Sequence, residues 1–343
     1  MWMAPNLVTT LGLLILGGSY WWMLFYDMTM TERLPEWTYL FVAFGIFAFQ
    51  TLDAIDGKQA RRTGSSSPLG QLFDHGCDAI SWTIWNMAVV SFLQLGFSLT
   101  AILTISAAIA PFFFTNLLEH YSGVFVYSVG YLDGTTAQVM LILFNLLPGF
   151  LGNGFYDYKA SEYLKFLPGI MTEGFVFRDY CLVIAAYMGV IYSVILIFKL
   201  FKWAESFGTY VQITLQIIQH LLCYVLMYMF NDKIPFIHNW TGFAYMSVLL
   251  LYCLITTKLI VCIMSKMYFS FLHWEYLVFL PFFYIQSQYD GTVQSEETIK
   301  WAFIATFVAM FLLYARFVQS CIGQLTEYLN VSCFTIDKKE KIS

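Results

Sequence analysis

Long apolar runs separated by short polar connections dominate this sequence. About ten of them can be drawn, at roughly 7–25, 37–56, 78–95, 99–118, 137–151, 180–201, 210–230, 240–264, 267–284 and 301–320. A helix rises 1.5 Å per residue, so a run of about 20 residues crosses about 30 Å of hydrocarbon. Charge composition excludes the alternative of a soluble globule. Only 11% of the 343 residues are charged, where a water-soluble domain carries about a quarter. The sequence therefore predicts an all-α integral membrane protein of about ten transmembrane helices. Residues 1–325 form one polytopic domain and 326–343 a tail. The first run has no basic stretch ahead of it and nine more runs behind it, so it reads as a retained helix and not as a signal peptide. A formal net charge of −5 gives no electrostatic footprint for nucleic acid. The 7 cysteines form no C-x-x-C pair and read as small buried hydrophobes.

Basic residues are biased toward the cytosolic side of a membrane protein. With the N-terminus in the cytosol, Lys58, Arg61, Arg62, Lys199, Lys202 and Lys266 fall there together with Lys338, Lys339 and Lys341. Arg33, Lys159, Lys165, Arg178, Lys233 and Lys300 fall on the opposite side. Both termini are then expected inside, with 152–179 as the largest lumenal loop.

One stretch interrupts the apolar pattern. Asp53, Asp56, Asp74 and Asp78 lie between the second and third runs, where each uncompensated carboxylate near hydrocarbon costs on the order of several kcal/mol. Asp53 and Asp56 are spaced i,i+3, and Asp74 and Asp78 are spaced i,i+4, so each pair shares one helical face. Two such faces meeting across a cavity make an all-oxygen site, with neither Cys nor paired His among its members. Such a site favours Mg2+ or Mn2+ over zinc, and four carboxylates suffice for the two ions that stabilise displacement at phosphorus. Gly57 and Ala60 are small enough to let a ligand approach the helix, while Lys58, Arg61 and Arg62 supply cations for phosphate oxygens. The competing interpretation of a single such Asp is a solvated interhelical loop. A polytopic cation transporter using the Asp cluster is a rival of a different class, but transport sites lie near the midplane on broken helices, whereas these acids flank a polar loop.

The spacing D-x-x-D-G-x-x-A-R-x8-G-x3-D-x3-D over 53–78 resembles the signature of the CDP-alcohol phosphotransferases at every fixed position. The wider run QTLDAIDGKQARRTGSSSPLGQLFDHGCDAI, and Ala4-Pro5-Asn6-Leu7-Val8-Thr9 at the start, most resemble the eukaryotic choline/ethanolamine phosphotransferases. The resemblance implies that Asp53, Asp56, Asp74 and Asp78 hold Mg2+ or Mn2+, two ions in all, and that Asp78 is also the catalytic base. It places Asn6, Gly57, Ala60 and Arg61 beside the CDP moiety. The implied reaction is attack by the 3-hydroxyl of diacylglycerol on CDP-choline or CDP-ethanolamine, yielding the phospholipid and CMP. A homodimer in the endoplasmic reticulum or Golgi membrane, with its site facing the cytosol, follows from the same likeness. Relatives carry several dozen residues, including an amphipathic segment, ahead of Ala4, so a catalytically silent homologue is the alternative outcome within the family.

Other candidates are weighed singly. Glu119, followed by His120 and Tyr121, ends the fourth run on the side of the Asp cluster, where it is assigned to substrate binding against the simpler role of interfacial anchor. Lys258 lies inside the eighth run, where a charge is a functional candidate by default; it is assigned to substrate, with pairing to an acid as the alternative. Arg316 can snorkel. Gln212, Gln216, Gln219 and His220 form a polar stripe on the seventh run, for which interhelical hydrogen bonding is the expected reason. His75 sits inside the motif without being one of its fixed positions. Lys339 and Lys341 of the final five residues resemble a K-x-K-x-x retrieval signal.

Overall fold

The computed structural model describes residues 3–126, 128–129, 132–166 and 168–336. Lys339 and Lys341 of the retrieval-like signal lie outside the described residues. In chain order the long helices are α1 (Pro5–Tyr26), α2 (Glu36–Thr63), α3 (Pro68–Phe92) and α4 (Leu99–Ser122). A minimal antiparallel hairpin, β1 (Ser128–Val129) and β2 (Leu132–Asp133), leads into α5 (Gly134–Leu151). The short helices α6 (Ala160–Tyr163) and α7 (Gly169–Thr172) precede α8 (Phe177–Lys202) and α9 (Phe207–Met229). Then come α10 (Pro235–Asn239), α11 (Thr241–Ser265), α12 (Leu280–Ser287) and α13 (Val293–Leu329).

Eight of the described helices are long and apolar enough to cross a membrane: α1, α2, α4, α5, α8, α9, α11 and α13. The protein is thus multi-pass and helical, but ten continuous spans are not reproduced. α3 is long enough, yet Asp74 and Asp78 lie in its first half. It begins at Pro68, ten residues before the expected start, because Ser67 caps it by accepting from the Gly70 N–H at 3.2 Å and Pro68 fits the first turn. The expected run 267–284 is not one helix. Residues 267–273 are irregular, 274–279 form a 3-10 helix, and only α12 is α-helical.

Such a segment would leave backbone groups unsatisfied in lipid, so it is tolerated only where protein side chains replace the missing bonds. The stripe on α9 does this at Phe269, and further bonds run the other way, from the segment's side chains to the backbone of α9. Gln216 Nε2 donates to the Phe269 carbonyl at 2.8 Å, and the Tyr276 hydroxyl donates to the Gln219 carbonyl at 2.6 Å. At the far end of α9, Gln286 Nε2 donates to the Met229 carbonyl at 2.8 Å. His220 pairs with Tyr224 and stacks on Phe113, with ring centroids 4.3 Å apart. The expected hydrogen-bonding role of the stripe is therefore found, with a broken segment as its main partner.

α11 is the central helix, packed against α3, α4, α9 and α13 with Tyr245, Val248, Leu251 and Tyr252 buried. α8 and α13 are peripheral and turn Val183, Ile184, Phe311 and Leu312 outward, as lipid-facing surfaces do. α4 and α8 touch backbone to backbone at one point: a Cβ on Gly189 would lie 2.1 Å from the Ala107 carbonyl oxygen. The connection 152–179 folds back on the bundle, where Asp157 accepts from both Arg33 and Arg178 at 2.6 Å.

Candidate active site and metal centre

The site is built by the α2–α3 hairpin with α1 laid against it. α2 runs beyond its expected end at 56 and carries Asp53, Asp56, Gly57, Ala60 and Arg61 on one continuous helix. It stops at Gly64, whose φ of 65° is costly for a residue with a Cβ, and the Ser65 N–H closes on the Ala60 carbonyl at 3.0 Å. Three residues later Ser67 starts α3. This short turn faces the i,i+3 pair of one helix toward the i,i+4 pair of the next. Ligand oxygens of Asp53, Asp56 and Asp74 then lie within 4.8 Å of one another. Asp78 is within electrostatic reach of Asp53, Asp56 and Asp74, so the fourth carboxylate shares the same field.

Whether these residues fit a divalent ion can be judged from their unmet needs. Among the described residues no Lys or Arg forms an ion pair with any of the four carboxylates. Asp53 Oδ1 is buried without a hydrogen-bond partner. Converging anionic oxygens with an orphaned buried acceptor are what a hard cation satisfies, and oxygens on opposite sides of a Mg2+ stand about 4 Å apart. The donor set fits Mg2+ or Mn2+.

α1 contributes two side chains. It pairs antiparallel with α2, Gly12 against Phe49 and Ser19 beside Gly45, which brings the Thr9 hydroxyl to donate to Asp56 Oδ2. Gln59 Nε2 reaches back to the Met3 carbonyl at 2.9 Å. Thr9 was legible in part: it stands i,i+3 from Asn6 and so shares its helical face. Asn6 itself, expected beside nucleotide, is only 8% exposed and donates through Nδ2 to the Cys333 carbonyl at 3.0 Å. Its Oδ1 faces Gly70, 3.6 Å from where a Cβ would stand. The chain after α13 thus returns to the motif, and Phe334 sets its ring edge-on to Phe73 at 5.7 Å. Burial pushes the Cys333 thiol above its ordinary range. No sequence signal links residues so far apart in the chain.

The remaining candidates fall into place differently. Gly57 and Ala60 are half-buried, while Arg61 is exposed with its guanidinium beside Gly57. Glu119 on α4 is half-buried and within electrostatic reach of His75, whose Nδ1 is buried without a partner. Lys258 has its ammonium taken by Glu275 of the broken segment, with side-chain exposures of 25% and 4%; pairing to an acid, the alternative to substrate binding, is the arrangement observed. Arg316 is exposed on α13.

Comparison with known proteins agrees with this geometry. The family model for CDP-alcohol phosphatidyltransferase matches residues 2–177. Mouse cholinephosphotransferase 1 is 39% identical over 178 residues, 51% of this chain and 44% of that protein. The human protein of the same name is 37% identical over 193 residues, 50% of this chain and 44% of its own length. The chain thus matches less than half the length of either. A longer match is to Uncharacterized CDP-alcohol phosphatidyltransferase class-I family protein 1 of Dictyostelium discoideum, 30% identical over 343 residues, 98% of this chain and 85% of that one. With the family model over half its length and a relative over nearly all of it, this chain belongs to the CDP-alcohol phosphatidyltransferase family, membrane-embedded transferases of phospholipid biosynthesis.

Proposed function

We propose that the protein transfers phosphocholine, phosphoethanolamine or both from the CDP-alcohol to the 3-hydroxyl of diacylglycerol. The observation that carries this reading is the convergence of Asp53, Asp56 and Asp74 around the orphaned Asp53 Oδ1, with Asp78 beside them. The family model spans these residues at 2–177, and the likeness to cholinephosphotransferase 1 over 51% of the chain supports choline as a headgroup.

In this reading Asp53, Asp56 and Asp74 hold the ions, and Asp78 completes the set. Bound Mg2+ or Mn2+ supplies neutralisation of the pyrophosphate and of the departing CMP. Thr9 fixes the Asp56 carboxylate by its hydrogen bond. Gly57 and Ala60 let the diphosphate approach the helix, and Arg61 pairs with its oxygens. Asp78 takes the proton from the acceptor hydroxyl as that oxygen bonds to the β-phosphorus and the phosphoanhydride bond to CMP breaks. Glu119 and His75, on the neighbouring helices, line the approach of the acceptor. Asn6 acts at the nucleotide end by holding the Cys333 carbonyl. Residues 1–325 form the catalytic membrane domain and 326–343 a tail. The site faces the cytosol of the endoplasmic reticulum or Golgi, and the protein works as a homodimer.

The deciding experiment measures label transfer from CDP-choline, and separately from CDP-ethanolamine, into lipid by purified protein with diacylglycerol and Mg2+. The expected result is phospholipid product that EDTA abolishes and that Asp78→Asn reduces about a thousandfold. No product from either donor in folded protein that still binds Mg2+ would overturn the proposal in favour of a silent homologue.

A further inference from the structure

α4 and α8 run in parallel and meet backbone to backbone at Ala107 and Gly189. Their C-terminal ends, Ser122 and Lys202, lie 15 and 13 residues further on, or roughly 20 Å along each axis. There a groove of about 230 Å³ opens between them. One wall is apolar, made by Leu118 of α4 with Val124 and Val126 of the segment that follows. The other is Lys199, Lys202 and Trp203 at the end of α8, with Ser122 closing the top.

Three properties define what this groove can take. Lys199 and Lys202 are spaced i,i+3 and so present both ammonium groups on one side of α8. Among the described residues neither forms an ion pair. Trp203, 49% exposed, marks the level at which indole rings sit between headgroups and hydrocarbon. The groove lies at the membrane end that carries the carboxylate cluster, because the last turn of α4 also bears Glu119 beside His75.

We infer that the groove is a binding site for an anionic phospholipid from that leaflet. The phosphate lies on Lys199 and Lys202, and an acyl chain covers Leu118, Val124 and Val126. Basic pockets between transmembrane helices at the headgroup level select net negative lipids in this way. A free inorganic anion would leave the apolar wall uncovered, and a zwitterionic lipid carries its own cation, which offsets the attraction.

The test is retention of phosphatidylserine by the full-length protein, measured by native mass spectrometry from micelles containing phosphatidylserine and phosphatidylcholine together. Wild type is expected to retain phosphatidylserine preferentially. The double variant Lys199→Gln, Lys202→Gln is expected to lose about thirtyfold of that preference. Lys199→Arg with Lys202→Arg keeps the charge and should keep the lipid. Undiminished preference in the double Gln variant, or equal retention of the two lipids by wild type, overturns the site. Displacement of phosphatidylserine by millimolar inorganic phosphate would identify an anion site without a lipid component and overturn it equally.

Discussion

At the scale of single residues the site depends on groups that touch no substrate. Thr9 donates to Asp56 from another helix and so sets which Asp56 oxygen faces the Asp53–Asp74 gap. Loss of such an outer hydrogen bond typically weakens metal affinity about 10- to 100-fold. Thr9→Val, which keeps the shape and removes the donor, should therefore need about tenfold more Mg2+ for half-maximal activity. Thr9→Ser should restore the wild-type requirement, and unchanged Mg2+ titration in Thr9→Val would remove the assigned role. The carboxylates themselves were legible because helical spacing fixes which side chains share a face, and four acids have few tolerable fates in a chain this apolar. Thr9 was half legible for the same reason. The partner of Asn6 was not: Cys333 reaches it through a backbone carbonyl, and no residue type advertises a carbonyl.

Among the elements, α9 and the broken segment after α11 act as one unit. Hydropathy identified 267–284 as apolar, correctly, and hydropathy alone cannot distinguish a helix from an irregular strand of chain bonded to glutamines. Its polar member Glu275 takes the Lys258 ammonium, and Glu275 Oε2 and His273 Nε2 remain buried without partners. Removing one partner of a buried ion pair strands the other, at about 3 kcal/mol or more. Glu275→Gln should accordingly lower the unfolding free energy by about 3 kcal/mol, read by denaturant titration in micelles. Lys258→Met combined with Glu275→Gln should recover most of the loss. Equal losses in the single and double variants would mean that the pair does not couple α11 to the broken segment.

For the molecule as a whole, the carboxylate cluster is a standing destabilisation. Asp53, Asp56, Asp74 and Asp78 repel one another, and no described basic side chain pairs with them. A ligand that binds only the folded state adds about 2.7 kcal/mol at a hundredfold excess over its dissociation constant. Mg2+ should therefore raise the melting temperature by a few degrees, and EDTA should reverse the change. Asp53→Asn should lose the Mg2+ response and, without metal, melt above the metal-free wild type, since one repelling charge is gone. A metal-free variant melting below wild type would argue that the cluster is held by bonds within the protein.

The irregular crossing beside α9 also bears on how the chain is made. A helix satisfies its own backbone and can leave the translocation machinery for lipid as soon as it is long enough. The irregular residues 267–273 lack that ladder, and the Phe269 carbonyl takes its bond from Gln216 of a helix inserted earlier, on which Tyr276 and Gln286 also anchor the segment. Their insertion must wait on a docked α9. The chain from residue 267 onward is therefore assembled onto a template, and faults in α9 are expected to surface as retention and degradation of nascent chains before any effect on chemistry can be seen.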